Sequence, residues 1–480
     1  MKDVGKLLLG ALLLLSTSLF MASITGYDSD VLYPYSQARD LHQFGSLQGW
    51  TFAVIPYFFP DVFFSWFLTG LTHSPIVFSI VTSPIEIFLF IGFFAKYLSR
   101  TTGMSYGKAF LAGGTSAALL ALAGPLLKQG TYFLLVQPFF LFSFHGFAAS
   151  IAILIYLFCR ENMFGSLRRY WFLSLPALII FTVSDFYFSF YFGLLILASF
   201  SRKKWADFLR TAIPFGIVSG AIFLLSWKWN PSVAIGSKTS LIPADFHQFL
   251  LISWKAFSLM LIPGLGLLWI RIKQRQQVPS FLSSLYLAIV FAGVLLLGAG
   301  LLNNVDTFRY LNFLYGGAVV IFAYILLTLP ERMKILGAVF LILLSSSLSI
   351  YVNFVREKPA RLLAYQDEIR CIQKAGMPHS TLIATYWPAK VIFESLNRGY
   401  NLIQVNSTLG PYNWISNIRW RNLYPDNQKT FLITKEVDPR VLERLERDSS
   451  AKLICEGKIL FLAKSPYEIL PQREAWGSGR

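Results

Sequence analysis

Repeated apolar runs of membrane length constrain this chain more than any other feature. About eleven such runs lie before residue 354, at approximately 7–24, 75–94, 109–127, 142–159, 170–184, 186–200, 211–227, 249–270, 281–300, 311–329 and 335–352. A helix crosses the hydrocarbon layer with about 20 apolar residues, and in lipid the backbone polar groups must be satisfied within the segment. The pattern therefore predicts a polytopic α-helical membrane protein. A soluble fold could not cover so much apolar surface, since 55% of the 480 residues are hydrophobic. The fifth and sixth runs are short and meet at Ser184-Asp185, which predicts a tight hairpin or a re-entrant pair.

Charge then orients the runs. Lys2, Lys6, Lys96, Arg100, Lys108, Arg160, Arg168, Arg169, Arg202, Lys203, Lys204, Arg210, Arg271, Lys273, Arg275, Arg332 and Lys334 fall in one alternating set of loops. The opposite set holds only Arg39, Lys128, Lys228, Lys238 and Arg309. Basic loops stay in the cytoplasm, so the N-terminus is expected inside and everything after residue 352 outside, in a membrane of the bacterial inner type. The net charge of +17 is explained by these loops beside anionic lipid. Nucleic acid is not an expected partner, because no basic motif interleaved with aromatics stands on a soluble surface. The N-terminal run resembles a signal peptide, but acids follow it at once, and it reads as an uncleaved first helix.

Two parts of the sequence depart from the membrane pattern. The 26–73 segment follows the first run and holds Asp28, Asp30, Asp40, Asp61, His42, His73, tyrosines, tryptophans and prolines, with one arginine and no lysine. A connector would be much shorter. The segment after 354 has ordinary charge density and alternating patterns. It predicts a helix over 360–375, a strand over 381–386, a helix over 388–396, strands over 402–405 and 430–434, and a helix over 439–447. A hairpin follows across 455–462 with Glu456-Gly457-Lys458 at its turn. The expected organisation is thus a transmembrane portion, 1–354, with 26–73 as its first extracytoplasmic loop, and a small extracytoplasmic α/β domain, 355–480. Cys371 and Cys455 both fall in that domain. Outside the cell they are a possible disulfide, and two buried thiols are the alternative.

Several residues could carry chemistry. Asp28 and Asp30 form a carboxylate pair at the exit of the first run. One could take a proton from an attacking hydroxyl, and one could hold a divalent metal such as Mg or Mn, or orient an acceptor. Two solvated loop acids would look the same. Asp40, His42 and His73 are candidate substrate contacts, or satisfied interfacial side chains. Trp50, Tyr57 and Trp66 could stack on a sugar or a prenyl chain, or belong to an amphipathic interfacial helix. Arg309, followed by Tyr310 before the tenth run, suits bidentate binding of phosphate, or anchors the helix at the interface. Lys255 in the eighth run snorkels or contacts an anionic headgroup. Glu86, just after Pro84 in the second run, is costly in lipid unless paired or facing a polar cavity. No P-loop, dinucleotide fingerprint, nucleophile elbow or Cys/His zinc cluster occurs in the sequence, so an activated lipid, not cytoplasmic ATP, is the expected source of driving force.

This layout resembles the GT-C superfamily of integral-membrane glycosyltransferases. The features that carry the resemblance are the inside N-terminus, Asp28-Ser29-Asp30 opening a long first outer loop, the many spans, and the C-terminal domain outside. Arg309-Tyr310-Leu311-Asn312-Phe313 is similar to the Arg-Tyr-Leu-rich start of a late helix in several of these families. The adjacent Asp-Glu pair of the mannosyltransferases is absent, and YDSD stands in its place. The resemblance implies transfer of a sugar from a polyprenyl-phosphate donor to an extracytoplasmic acceptor: a glycan, a lipid or a protein. Asp28 or Asp30 would be the base, with Arg309, Lys255 assisting, on the donor phosphate. The competing readings are a lipid or polysaccharide transporter or flippase, which would carry charged residues through its spans and repeat its topology, and a non-catalytic scaffold with an external binding domain.

Overall fold

The computed structural model describes residues 2–25, 29–52, 57–126, 139–140, 146–159, 171–198, 205–229, 261, 263–269, 271–272, 280–298, 312–352, 365–412, 416–425 and 429–470. Among the described residues three helices, Asp3–Ile24, Pro75–Thr102 and Glu331–Ile350, are long and apolar enough to cross a membrane, and shorter apolar helices accompany them. Most of the expected run at 249–270 lies outside the described residues. The chain divides into two compact units. One comprises Met1–Thr25, Val54–Pro60 and Ile80–Glu357, the other Gly26–Ala53, Asp61–Ser79 and Lys358–Arg480. The sequence alone suggests a division at 354 with 26–73 kept in the membrane portion, whereas most of that segment clusters with the C-terminal part of the chain.

The first unit is helical. Its centre is the helix Asn312–Leu327, in which Phe313, Leu314, Tyr315, Ala318, Val319, Val320 and Ile321 are wholly buried. Two hydrogen bonds tie it to the helix Tyr106–Leu126, with the Tyr315 hydroxyl donating to the Ala117 carbonyl at 2.9 Å and the Ser116 hydroxyl to the Val319 carbonyl at 2.9 Å. A small residue admits other neighbours: a Cβ added at Gly316 would lie 2.7 Å from the Phe139 ring and 2.8 Å from Ile153 of the helix Gly146–Cys159. At the periphery the helix Lys2–Thr25 exposes Val4, Leu8, Leu12, Leu15 and Leu19, a stripe at helical spacing. The helix Glu331–Ile350 likewise exposes Met333, Leu336, Phe340 and Leu343. Such surfaces suit acyl chains. Both helices and Tyr106–Leu126 meet at one end, where Glu331 pairs with Lys6 and, at 3.4 Å, with Lys108. Those are residues that the charge pattern assigns to one side.

The short fifth and sixth runs form a helical hairpin, Trp171–Ser184 and Phe186–Ala198. The Asp185 carboxylate accepts from the Tyr187 amide at 2.9 Å and caps the second helix. Glu86 is buried, and its carboxylate accepts from the Ser150 hydroxyl at 2.9 Å on the helix Gly146–Cys159. The carboxylate is therefore hydrogen-bonded inside the helical layer, one of the two outcomes its position allows.

The second unit is built, among the described residues, on a five-stranded sheet in the order 401–405, 381–385, 430–433, 459–462, 451–454. The strands are β2 (Thr381–Thr385), β3 (Asn401–Val405), β5 (Thr430–Ile433), β6 (Ala451–Ile454) and β7 (Ile459–Leu462); a separate ribbon joins β1 (Trp50–Thr51) to β4 (Ser416–Asn417). Strand β2 runs parallel to β3 and β5, and the β5–β7 and β7–β6 pairs are antiparallel. All residues of β2, β3 and β5 are buried, as expected of parallel strands covered on both faces. The edge strand β6 is partly exposed and carries Lys452, which discourages further pairing. Ile383, Ile403, Leu432, Leu460 and Leu462 centre the core.

The expected hairpin shifts by a few residues. Its first strand is 451–454, and Cys455 lies in the turn, not on a strand. The Lys458 amide closes that turn on the Cys455 carbonyl at 3.1 Å, with Glu456 and Gly457 both at positive φ, the twist a tight hairpin needs. Cys455 there bridges to Cys371 of the helix Gln366–Ala375, with their Cα atoms 6.2 Å apart. The bridge spans a sequence separation of 84. Replacing both cysteines by serine should cost about 2–4 kcal/mol. Thiol labelling of the unreduced, denatured protein should find Cys371 and Cys455 protected, and free thiols there would exclude the bridge.

Candidate functional site

The 29–52 segment is part of the second unit because its side chains complete that unit's interior. The helix Tyr33–Phe44 begins with Pro34 in its first turn and ends at Gly45 in the left-handed conformation. It carries Asp40 inward. Asp40 is fully buried and takes four donors: Arg398 and, at 3.0 Å, the Trp420 indole on one oxygen, and the Trp50 indole and Asn417 amide, each at 2.6 Å, on the other. Gly49, at φ +83, turns the chain into β1, and a Cβ on it would meet the Asn417 side chain at 2.7 Å. Arg398 also donates to both Glu394 oxygens, to the Ser36 carbonyl at 3.0 Å and to Gln43 at 3.1 Å.

Electrostatics in this cluster follow from burial and one shared cation. Burial pushes the Asp40 carboxyl above its usual range, against the pull of Arg398. Burial also opposes ionisation of Glu394, but the adjacent Arg398 outweighs it and holds that carboxyl below its usual range. Burial disfavours the Arg398 cation, yet Glu394 and then Asp40 keep its pKa raised. Asp40, a candidate substrate contact by sequence, is thus enclosed, with its acceptor capacity already used by protein donors. It joins the segment to the C-terminal part of the unit. His42 stacks on Trp66 with ring centroids 5.4 Å apart, and its Nε2 lies 2.8 Å from the Trp66 carbonyl. His73 offers its carbonyl to the Tyr35 hydroxyl at 2.8 Å. The helix Phe63–Thr69 exposes Phe63, Trp66 and Phe67, the amphipathic surface expected of an interfacial segment.

Asp30 occupies a different place. Strand β2 ends at Thr385 and the helix Tyr386–Ser395 starts at once. The Tyr386 hydroxyl donates to Asp30, and the neighbouring Ser29 hydroxyl donates to the Tyr386 carbonyl at 2.5 Å. These contacts hold the Asp30 segment at the carboxyl end of β2. The connection after β2 leads to β3 on one side, whereas the connection after β5 leads to β6 on the other. The two strands therefore form a switch point, the place where open α/β sheets bind ligands. Thr385 and Glu436 bridge it, with the threonine hydroxyl donating to the Glu436 carboxylate at 2.9 Å. Two more aromatic rings flank Tyr386, both nearly perpendicular to it: Trp387 at 4.9 Å and Tyr412 at 5.8 Å between centroids. Burial and then the Asp30 charge push the Tyr412 hydroxyl above its usual range. The Lys390 ammonium, on the buried side of the same helix, lies 4.7 Å from the Tyr386 ring centroid.

Of the residues singled out in the sequence, Asp30 is brought to this strand-end site, and Asp40, His42 and His73 are placed elsewhere in the same unit. Asp28, Lys255, Arg309 and Tyr310 lie outside the described residues. Among the described residues no group of three or more His, Cys, Asp or Glu side chains is arranged to hold a metal ion. Tyr386, Trp387 and Tyr412 were not legible as partners of Asp30. The signal was present in Thr385-Tyr386-Trp387-Pro388, an aromatic pair directly after a β-branched run. No protein-family model, curated protein or solved structure matches this chain.

Proposed function

We propose that this chain is a membrane glycosyltransferase that moves a sugar from a polyprenyl-phosphate donor to an extracytoplasmic acceptor. The observation that carries this reading is the Asp30 carboxylate, bonded by the Tyr386 hydroxyl at the carboxyl end of a parallel strand, where Trp387 and Tyr412 pack against the Tyr386 ring. A carboxylate held in a partly exposed position can accept the proton of an attacking hydroxyl. Rings beside it suit a sugar, which has an apolar C–H face and a rim of hydroxyls. The long apolar helices supply a solvent for the prenyl tail. Asp28 stands two residues earlier as the other candidate base or as a ligand to a divalent metal. In this reading the chain makes about eleven crossings of a bacterial inner membrane. The N-terminus is cytoplasmic and the sheet-bearing unit outside, where the Cys371–Cys455 bridge is at home.

Arg309 and Lys255 are proposed to hold the donor phosphate. Developing charge on a leaving phosphate needs a fixed cation, and a guanidinium offers a planar fork. The test uses purified protein in nanodiscs with polyprenyl-phosphate sugars, scoring release of polyprenyl phosphate. Arg309→Ala should nearly abolish release, and Arg309→Lys should leave a fraction because it keeps charge but loses bidentate geometry. Equal activity of both variants and the parent protein would remove Arg309 from the site. Absence of release from every donor by the parent protein would remove the transferase reading.

A further inference from the structure

We infer that the aromatic shelf at the carboxyl ends of β2, β3 and β5 binds a saccharide, and that the acceptor of the reaction is therefore a glycan. This rests on the transferase reading for the word acceptor, but the binding site stands on its own geometry. Trp387 is 40% exposed and Tyr412 38% exposed, although each touches the edge of the same Tyr386 ring. In the same unit Trp420 is filler at 1% exposed, while the other exposed rings among the described residues, Phe63, Trp66 and Phe67, share one face of the short helix Phe63–Thr69. Two partly exposed rings that share contact with a third make an apolar patch that a ligand could cover.

The polar groups of the shelf decide what that covering ligand is. Asp30 and Glu436 are carboxylates, which accept hydrogen bonds and repel phosphate. Lys390 is buried beneath Tyr386, and Lys435 sits 4.2 Å from the Tyr365 ring centroid. A ligand that offers hydroxyl donors on its rim and C–H bonds on its face matches this set, and the exposed Lys435 beside Glu436 makes phosphate the competitor to test. The loop after β3 is rigid enough to present Tyr412, because the Asn406 side chain accepts from the Thr408 amide at 3.0 Å and the Gly410 amide at 2.8 Å. The Tyr412 amide in turn donates to the Gln404 carbonyl at 3.3 Å.

The experiment is saturation-transfer NMR on the full chain in nanodiscs, since glucoside and maltoside detergents carry the chemistry under test. The probes are methyl pyranosides and short chito- and malto-oligosaccharides, with inorganic phosphate as competitor. At least one saccharide should bind saturably, with a dissociation constant on the order of 1 mM. Trp387→Ala and Tyr412→Ala should each weaken it at least about tenfold, which is about 1.4 kcal/mol. Tyr412→Phe should retain it, and phosphate should not compete. A thermal transition in the emission of Trp50 and Trp420 at the parent protein's temperature shows that the variants are folded. Absence of saccharide binding, binding indifferent to both alanine variants, or competition by phosphate would each overturn the inference. Should transfer depend on Asp30 while no saccharide binds, the shelf fails and the transferase reading survives. Should a saccharide bind through Trp387 while transfer is absent, the shelf stands and the transferase reading fails.

Discussion

Arg398→Met should destabilise the sheet-bearing unit by about 3–5 kcal/mol, because it leaves two buried carboxylates without the cation they share. Asp40 and Glu394 are both inaccessible to water, and each receives Arg398 donors. In the intact cluster their shifts oppose one another, with Asp40 raised and Glu394 lowered. Glu394 contributes stability above its unfolded pKa and loses it as the pH falls through its depressed folded value; Asp40 acts in the other direction. Without Arg398, burial raises both. A group raised on folding favours the protonated native state, so the variant should become more stable as pH falls from 7 towards the carboxylate range. The emission of Trp50 and Trp420, which both donate to Asp40, reports the transition. Replacing Asp40, Glu394 and Arg398 together by apolar residues of similar volume should cost much less than Arg398→Met alone. A melting temperature equal to the parent's in Arg398→Met would show that the cluster does not hold the unit together.

That cluster also marks the limit of what the sequence disclosed. The long apolar helices Asp3–Ile24, Pro75–Thr102 and Glu331–Ile350 were legible because each satisfies its own backbone, so length and composition suffice. The strands β2, β3 and β5 were legible because their β-branched and aliphatic runs are short, continuous and bounded by turn residues. The pairing of Asp40 with Arg398 was not, because 358 positions separate them and neither residue type is unusual where it stands. The same holds for Ser29 and Asp30 with Tyr386, separated by 357 and 356 positions. A long aromatic loop advertised chemistry, but its composition cannot say which acids face inward. Burial sorted them: Asp40 became a tie, while Asp30 kept a partly exposed face. Cys455 was placed on a strand because the turn residues after it dominate the pattern, whereas the positive φ of Glu456 and Gly457 begins the turn at the cysteine itself.

Asp30→Asn should lower turnover of the lipid-linked sugar by about 10²–10⁴-fold with little change in KM, the loss expected when a general base is replaced by an isostere that cannot take a proton. Asn retains an oxygen to accept from the Tyr386 hydroxyl, so the segment stays in place and the effect is chemical. Asp28→Asn belongs beside it, because the sequence offers both acids and Asp28 lies outside the described residues. Tyr386→Phe separates the two assignments. It removes the hydroxyl that donates to Asp30 while keeping the ring that Trp387 and Tyr412 pack against. If Asp30 is the base, losing this partner leaves its carboxylate less fixed, and kcat should fall by about tenfold or more at nearly constant KM. If Asp28 is the base, Tyr386→Phe should leave kcat unchanged. Single-turnover measurement with a lipid-linked sugar and saturating acceptor reads the chemical step directly. Full activity in both Asp30→Asn and Asp28→Asn, with normal insertion, would deprive the transferase reading of its base and leave the scaffold reading as the one to pursue.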